Sequence, residues 1–231
     1  KHEEELENSP NKFVTLRSMC NSTLKIVNAE VKADKSKLDT INMKLEDDDE
    51  TYDGSMEVIH FLEILRDEVG MDEVAKKVTR PLKGLKIAPY YGCMLLHPEM
   101  AKIDDEEMPS VMEDLVEALG AEVILNPYFK YCCGSYHIVE DPGIVNTQIA
   151  RIIKGAKDRG ANAIVVACPL CGYNLDYQQK VLAEKTGEKN LIPIFYITQL
   201  MAVAFGEKIT INHFEDHAID PRPLLKSIGI K

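Results

Sequence analysis

Runs rich in isoleucine and valine alternate with helical patterns in the second half of the chain, and this alternation most constrains the fold. The runs at 85–88, 122–125 and 163–167 predict strands, and the segments 108–119 and 142–159 predict helices. Strands that alternate with helices in this way form a mostly parallel sheet with helices on its faces. The predicted fold class is therefore α/β: a mostly parallel sheet with flanking helices.

Five of the six cysteines follow these predicted strands. They are Cys93, Cys132, Cys133, Cys168 and Cys171. Because functional groups of such folds gather beyond the carboxyl ends of the strands, we expect the cysteine loops to lie at that edge and to form one site. The spacing is C-x38-C-C-G-x33-C-x2-C, and a C-x2-C segment with a proline inside it lets two thiolates converge on one metal.

The cysteine pattern favours a metal or redox site over disulfides. A reducing compartment disfavours structural disulfides, and adjacent cysteines such as Cys132 and Cys133 can pair with each other only through a strained peptide. The residues alone leave three interpretations open: an iron–sulfur cluster, which we favour, a structural zinc ion, and small buried thiols. A cubane cluster and a zinc ion each take four protein ligands, so the fifth cysteine requires a separate explanation.

The composition limits the classes of partner. The formal net charge is −11 and the sequence pI is about 5.1, which opposes binding to nucleic-acid phosphates. No apolar run approaches the roughly 18 residues needed to span a bilayer, and the mainly acidic residues 1–5 do not resemble a signal peptide. We therefore expect a cytoplasmic protein without a membrane span and without a nucleic-acid partner.

The cysteine segments resemble a known family. Tyr91-Gly92-Cys93, Cys132-Cys133-Gly134 and Ala167-Cys168-Pro169-Leu170-Cys171 are similar to the CCG motif of the B subunit of heterodisulfide reductase from methanogenic archaea, and 193–200 resembles the segment after the last cysteine of that motif. The resemblance extends over about 82–206. It implies that the five cysteines bind a noncubane [4Fe-4S] cluster.

The resemblance also implies a function. The chain would be an oxidoreductase subunit that reduces the coenzyme M–coenzyme B heterodisulfide with electrons from a partner iron–sulfur subunit, in a complex that also contains a flavin subunit. The resemblance does not identify a catalytic residue. Two alternatives stay open: an electron-relay CCG subunit of a lactate, glycolate or succinate type oxidoreductase, and a non-enzymatic interaction module stabilised by zinc.

The N-terminal part resembles the end of an incomplete first CCG unit. Cys20 matches the last cysteine of a C-x2-C pair, but Arg17 stands where its companion would be, so we expect Cys20 to be a buried or vestigial thiol. We predict two domains: 1–50, a remnant of an N-terminal CCG-like unit with a charged connector, and 51–231, the CCG-motif iron–sulfur domain. The apolar residues in 58–65 recur with a helical period and predict a helix.

Overall fold

Two parallel sheets organise the chain in a computed structural model that describes residues 11–230. The strands are β1 (Lys12–Thr15), β2 (Glu57–His60), β3 (Lys86–Tyr90), β4 (Glu122–Val123), β5 (Ala163–Val166) and β6 (Ile194–Tyr196). The α-helices are α1 (Ser18–Ala33), α2 (Lys35–Leu45), α3 (Phe61–Ile64), α4 (Met71–Lys77), α5 (Val111–Ala118), α6 (Pro142–Lys157), α7 (Pro169–Tyr173), α8 (Gln179–Thr186), α9 (Ile197–Ala204) and α10 (Arg222–Ser227). The α/β fold class is confirmed.

The larger sheet has the order β4-β3-β5-β6, and every neighbouring pair is parallel. In the central pair Ile87 faces Ala163 and Tyr90 faces Val166, and Val166 also faces Tyr196 of β6. The last residues of β3, β5 and β6 thus lie side by side. The loops that follow these three strands leave the sheet at the same edge.

Helices cover both faces of this sheet. Ile87 and Val165 belong to one hydrophobic core, to which α5 and α9 also contribute, whereas Ile164 and Val166 belong to a second core with α6. This division follows the alternation of side chains along a strand. Because both faces are covered, the open edge at the carboxyl ends of the strands is where the loops can build a site.

The smaller sheet corrects part of the sequence interpretation. The helix predicted over 58–65 is wrong at its start, because Glu57–His60 is a strand that pairs in parallel with Lys12–Thr15. Helix α3 begins only after His60. The side chain of His60 accepts a hydrogen bond from the backbone N–H of Leu62 and so caps this helix. This pairing joins residues on opposite sides of the boundary predicted at 50/51, and the division into two domains stays a prediction.

The smaller sheet and its helices pack against the rest of the described chain. Leu62 and Leu65 are buried in the core that contains β3 and α5, and the side-chain amide of Asn21 on α1 donates to the carbonyl of Ala101 at 3.4 Å. These contacts join the region of the smaller sheet to the region of the larger sheet. Among the helices formed by residues 11–230, none has the length and apolar character required to cross a membrane.

Candidate functional site

The first cysteine loop follows β3 and approaches the third loop closely. Gly92 adopts a positive φ of 65°, and a Cβ atom there would lie 3.2 Å from the sulfur of Cys171. The backbone N–H of Gly92 donates to the carbonyl of Phe129 at 2.9 Å. Glycine therefore allows the loop that carries Cys93 to lie against Cys171 without a side chain between them.

The second loop contains Cys132 and Cys133 and is fixed on both sides. The hydroxyl of Tyr90, at the end of β3, donates to the carbonyl of Tyr131. Gly134 has a φ of 99°, and a Cβ atom there would lie 2.7 Å from Cγ2 of Val145 on α6. The glycine of the Cys-Cys-Gly segment thus turns the chain sharply where α6 leaves no room for a side chain.

The third loop joins β5 to α7 and positions two cysteines one helical turn apart. Cys168 is the N-cap residue of α7, and Pro169 is the first helical residue, a position that suits the fixed φ of proline. The thiol of Cys171 and the backbone N–H groups of Cys171 and Leu170 lower the pKa of Cys168. Both thiols of the C-x2-C segment therefore lie at the start of the same helix.

The five thiols shift one another's pKa, so they lie close together as one series. The interacting pairs are Cys93 with Cys132, Cys132 with Cys133, Cys133 with Cys171, and Cys171 with Cys168. The structure therefore brings together all five cysteines that the sequence predicts for the site.

These interactions shift the pKa of each thiol. The neighbouring Cys133 and Cys93 lower the pKa of Cys132 to about 2, and Cys171 lowers the pKa of Cys168 to about 6. The neighbouring thiols, together with burial, raise the pKa of Cys93, Cys133 and Cys171. The close thiols thus oppose one another's ionisation, which the positive charge of bound metal would favour.

The site is closed on one side and open on the other. Cys133, Cys168 and Cys171 are each less than a tenth exposed, whereas Cys93 is half-buried and Cys132 is exposed. The buried sulfurs border the core between the sheet and α6. A molecule that reaches the site from solvent meets Cys132 and Cys93 first.

Asn174 is a member of the site that the sequence interpretation missed. Its side-chain nitrogen donates to the sulfur of Cys133 at 3.4 Å and to the carbonyl of Ser135 at 3.1 Å, and the residue is fully buried. The available signal was its spacing, since Asn174 follows Cys171 by three residues and so lies on the same side of a helix.

Cys20 is exposed on α1. Of the two alternatives expected for it, the buried thiol is wrong, and the vestigial thiol stays a prediction. Within residues 11–230, no hydrogen bond connects its side chain to the five thiols.

The donor set fits an iron–sulfur cluster. Thiolate sulfur is the usual ligand of such clusters, and hydrogen bonds to sulfur and burial tune their reduction potentials. The site contains five thiols, the N–H donor of Asn174 and a buried inner side. In the part of the chain that the structure describes, no group of three His, Cys, Asp or Glu side chains is placed to hold a single metal ion.

Comparisons with known proteins agree with the cysteine pattern. The family described as CCG, a cysteine-rich domain, matches residues 87–176. The chain is 31% identical over 196 residues to the 8-methylmenaquinol:fumarate reductase membrane anchor subunit of Wolinella succinogenes, covering 82% of this chain and 68% of that protein. It is 31% identical over 223 residues to the B subunit of the ferredoxin/F(420)H(2)-dependent CoB-CoM heterodisulfide reductase of Methanosarcina acetivorans, covering 94% of this chain and 73% of that protein.

A solved structure shares the fold. A hypothetical protein from Helicobacter pylori superposes with a TM-score of 0.63 over 83% of this chain and 34% of that chain, at 12% sequence identity. At this identity the likeness concerns the fold alone.

Proposed function

This chain belongs to the family of CCG cysteine-rich oxidoreductase subunits related to the B subunit of heterodisulfide reductase, and from this premise we propose its function. The proposed ligands of a noncubane [4Fe-4S] cluster are Cys93, Cys132, Cys133, Cys168 and Cys171. The proposed reaction is reduction of the coenzyme M–coenzyme B heterodisulfide within a complex. Iron–sulfur and flavin subunits are the proposed partners that deliver the electrons.

The observation that carries the proposal is the single series of five thiols. A cubane cluster or a zinc ion uses four protein ligands, whereas the series of interacting thiols includes five sulfurs from three separate loops. A cluster with five cysteine ligands uses all of them. The proposal therefore explains why the chain brings a fifth thiol to the same place.

The chemistry has a simple balance. Reduction of a disulfide consumes two electrons and two protons, the S–S bond breaks, and each sulfur leaves as a thiol. When bound, the cluster supplies one-electron redox chemistry at this position. The protein supplies the ligands and tunes them, since Asn174 donates a hydrogen bond to the sulfur of Cys133 and burial of Cys171 keeps water from the inner side of the site.

The position of the exposed thiols supports access by a substrate. Cys132 is exposed and Cys93 is half-buried, so a disulfide can approach the outer side of the site while the inner cysteines stay covered. The same open side suits electron transfer from a partner protein, because such transfer needs a short distance between redox groups rather than a deep pocket.

A thiol-release assay tests the proposed reaction. The chain is loaded with iron and sulfide without oxygen, reduced methyl viologen serves as electron donor, and the thiols released from the heterodisulfide are counted. We expect release by the wild-type chain and by Cys20→Ser, and none by Cys133→Ser, because only the latter removes a proposed ligand. An iron-loaded wild-type chain that releases no thiol would contradict the reductase assignment.

One relative favours a second candidate function. The similarity to a subunit of 8-methylmenaquinol:fumarate reductase supports an electron relay in which the cluster exchanges electrons with protein partners only. A relay subunit would be reduced by the chemical donor, and its visible absorption would change, but it would release no thiol from the heterodisulfide. The same assay therefore separates the two candidates.

A further inference from the structure

The chain contains two strand–helix units built on one plan. In each unit the N-cap residue of a helix lies two positions beyond a strand: Arg17 after β1 and Cys168 after β5. In each unit that strand pairs in parallel with a second strand, which is β2 in the first unit and β6 in the second. The last residue of the second strand, His60 in β2 and Tyr196 in β6, forms a capping box with the helix that follows. Arg17 thus occupies in the first unit the position that Cys168 occupies in the second.

Neither N-cap residue forms a side-chain capping bond with the helix that follows it. At α1 the N-cap side chain is a guanidinium, which has only donors and cannot accept the free N–H groups of the first turn. The first turn of this 16-residue helix contains no acidic residue. The hydroxyl of Ser18, a residue that is 1% exposed, has no hydrogen-bond partner within residues 11–230. The start of α1 therefore combines positive charge with unused donors, which favours an anion.

A cavity joins this position to the cysteine loop of the second unit. Its volume is about 210 Å³, and Arg17 lines it together with Pro169, the neighbour of Cys168, and Tyr196. Burial raises the pKa of Tyr196, and the charge of Arg17 acts in the opposite direction, as expected for two residues that line one cavity. The cavity therefore lies between the two units and next to a proposed cluster ligand.

Arg17 is an exposed cation in an acidic chain. The chain has 38 acidic and 27 basic residues, yet no carboxylate between residues 11 and 230 forms an ion pair with Arg17. Lys25, on the same helix, pairs with Glu63 at 2.8 Å, and Arg222 pairs with Asp220 at 2.9 Å. Among residues 11–230, the exposed guanidinium of Arg17 thus has no carboxylate partner.

We propose that Arg17 is a specificity-determining residue that binds the anionic group of a sulfur substrate at the cavity between the two strand–helix units. The ligand class is a thiol or disulfide that carries a carboxylate, sulfonate or phosphate near its sulfur. This inference rests on the proposed function, because the sulfur of such a ligand would lie toward the cysteine loops while its anion lies on Arg17. A guanidinium binds these oxyanions through charge-assisted hydrogen bonds.

Two small thiols that differ in charge test this assignment. Mercaptoacetate and mercaptoethanol are titrated by calorimetry without oxygen into the iron-loaded chain and into its variants. We expect the wild-type chain to bind mercaptoacetate about tenfold more tightly than mercaptoethanol, because one additional charge-assisted hydrogen bond provides a difference of this size. Arg17→Gln should bind the two thiols equally, Arg17→Lys should keep part of the preference, and the control Arg222→Gln should keep all of it.

The outcomes separate this inference from the proposed function. Equal binding of the two thiols by the wild-type chain, no measurable binding of either, or an unchanged preference in Arg17→Gln would overturn the assignment of Arg17. Iron and sulfide are measured on the same samples. A chain without iron would contradict the proposed function, whereas the charge preference and its loss in Arg17→Gln concern Arg17 alone.

Discussion

The side-chain nitrogen of Asn174 donates a hydrogen bond to the sulfur of Cys133 across 3.4 Å. Both residues are buried, so the bond is shielded from water and acts on the sulfur at close range. The same nitrogen also donates to the carbonyl of Ser135, which ties the Cys-Cys-Gly loop to the helix that follows Cys171. One side chain thus orients the loop and modifies the charge on a proposed ligand.

Asn174→Leu should lower the reduction potential of the site. The substitution keeps most of the side-chain volume but removes the N–H donor, and a donor stabilises the reduced state, in which the sulfur carries more negative charge. We expect a decrease on the order of tens of millivolts, measured by redox titration with electron paramagnetic resonance. Asn190→Ala, at an exposed site, serves as control. A potential equal to that of the wild-type chain would show that the bond does not tune the site.

Cys132→Ser and Cys20→Ser should differ in iron content. Both cysteines are exposed, so the two substitutions disturb the core equally little, but only Cys132 belongs to the series of interacting thiols. We expect Cys132→Ser to lose most of its iron and Cys20→Ser to keep the wild-type content, measured by iron analysis after anaerobic purification. Equal loss in the two variants would contradict the assignment of the ligands.

Gly134→Ala should destabilise the protein more than Gly160→Ala. Both glycines have a positive φ, of 99° and 90°, but a Cβ atom at Gly134 would lie 2.7 Å from Val145, whereas nothing lies within 4 Å of one at Gly160. We expect the free energy of unfolding to fall by roughly 3 kcal/mol for Gly134→Ala and by about 1 kcal/mol for Gly160→Ala. Urea unfolding measures both values, and similar values would exclude the steric explanation.

Burial of His60 should make the stability depend on pH. Burial, together with the charge of Lys25, lowers the pKa of His60 from 6.5 to about 4. In the unfolded chain His60 therefore binds a proton near pH 6.5, whereas in the folded chain it binds this proton only near pH 4. The free energy of unfolding should thus fall as the pH decreases through this window, by up to roughly 3 kcal/mol.

Variants at two histidines isolate this contribution. His60→Asn keeps a side-chain acceptor at the N-cap of α3 and removes the titrating ring, so its stability should decrease less between pH 6.5 and pH 4 than that of the wild-type chain. His213→Asn, at an exposed position, should follow the wild-type chain. Urea unfolding at several pH values provides the comparison, and parallel curves for the wild-type chain and His60→Asn would refute this role of His60.

The sequence predicted the parts of the fold that depend on local pattern. The strand run at 163–167 is rich in β-branched residues and is observed as Ala163–Val166. The helix predicted over 142–159 is observed as Pro142–Lys157, because a capping Asp141 and an N-terminal proline mark its start. The strand predicted over 122–125 is shorter in the structure, where only Glu122 and Val123 pair with β3.

Features that depend on distant contacts were not predictable in this way. The pairing of β1 with β2 joins residues that are 45 positions apart, such as Lys12 and Glu57. The period of the apolar residues, taken alone, predicted a helix where β2 lies. Asn174 begins an irregular helical segment, Asn174–Gln178, and its contact with Cys133 exists only because the second and third cysteine loops meet. The exposure of Cys20 likewise follows from how α1 packs.

The content of iron, acid-labile sulfide and zinc tests the central claim most directly. The chain is purified without oxygen and the three elements are measured per chain, together with the visible absorption spectrum. The proposal predicts about four irons with a matching amount of sulfide, a brown protein and no stoichiometric zinc. About one zinc per chain, without sulfide and without visible colour, would contradict the cluster and leave a zinc-stabilised module.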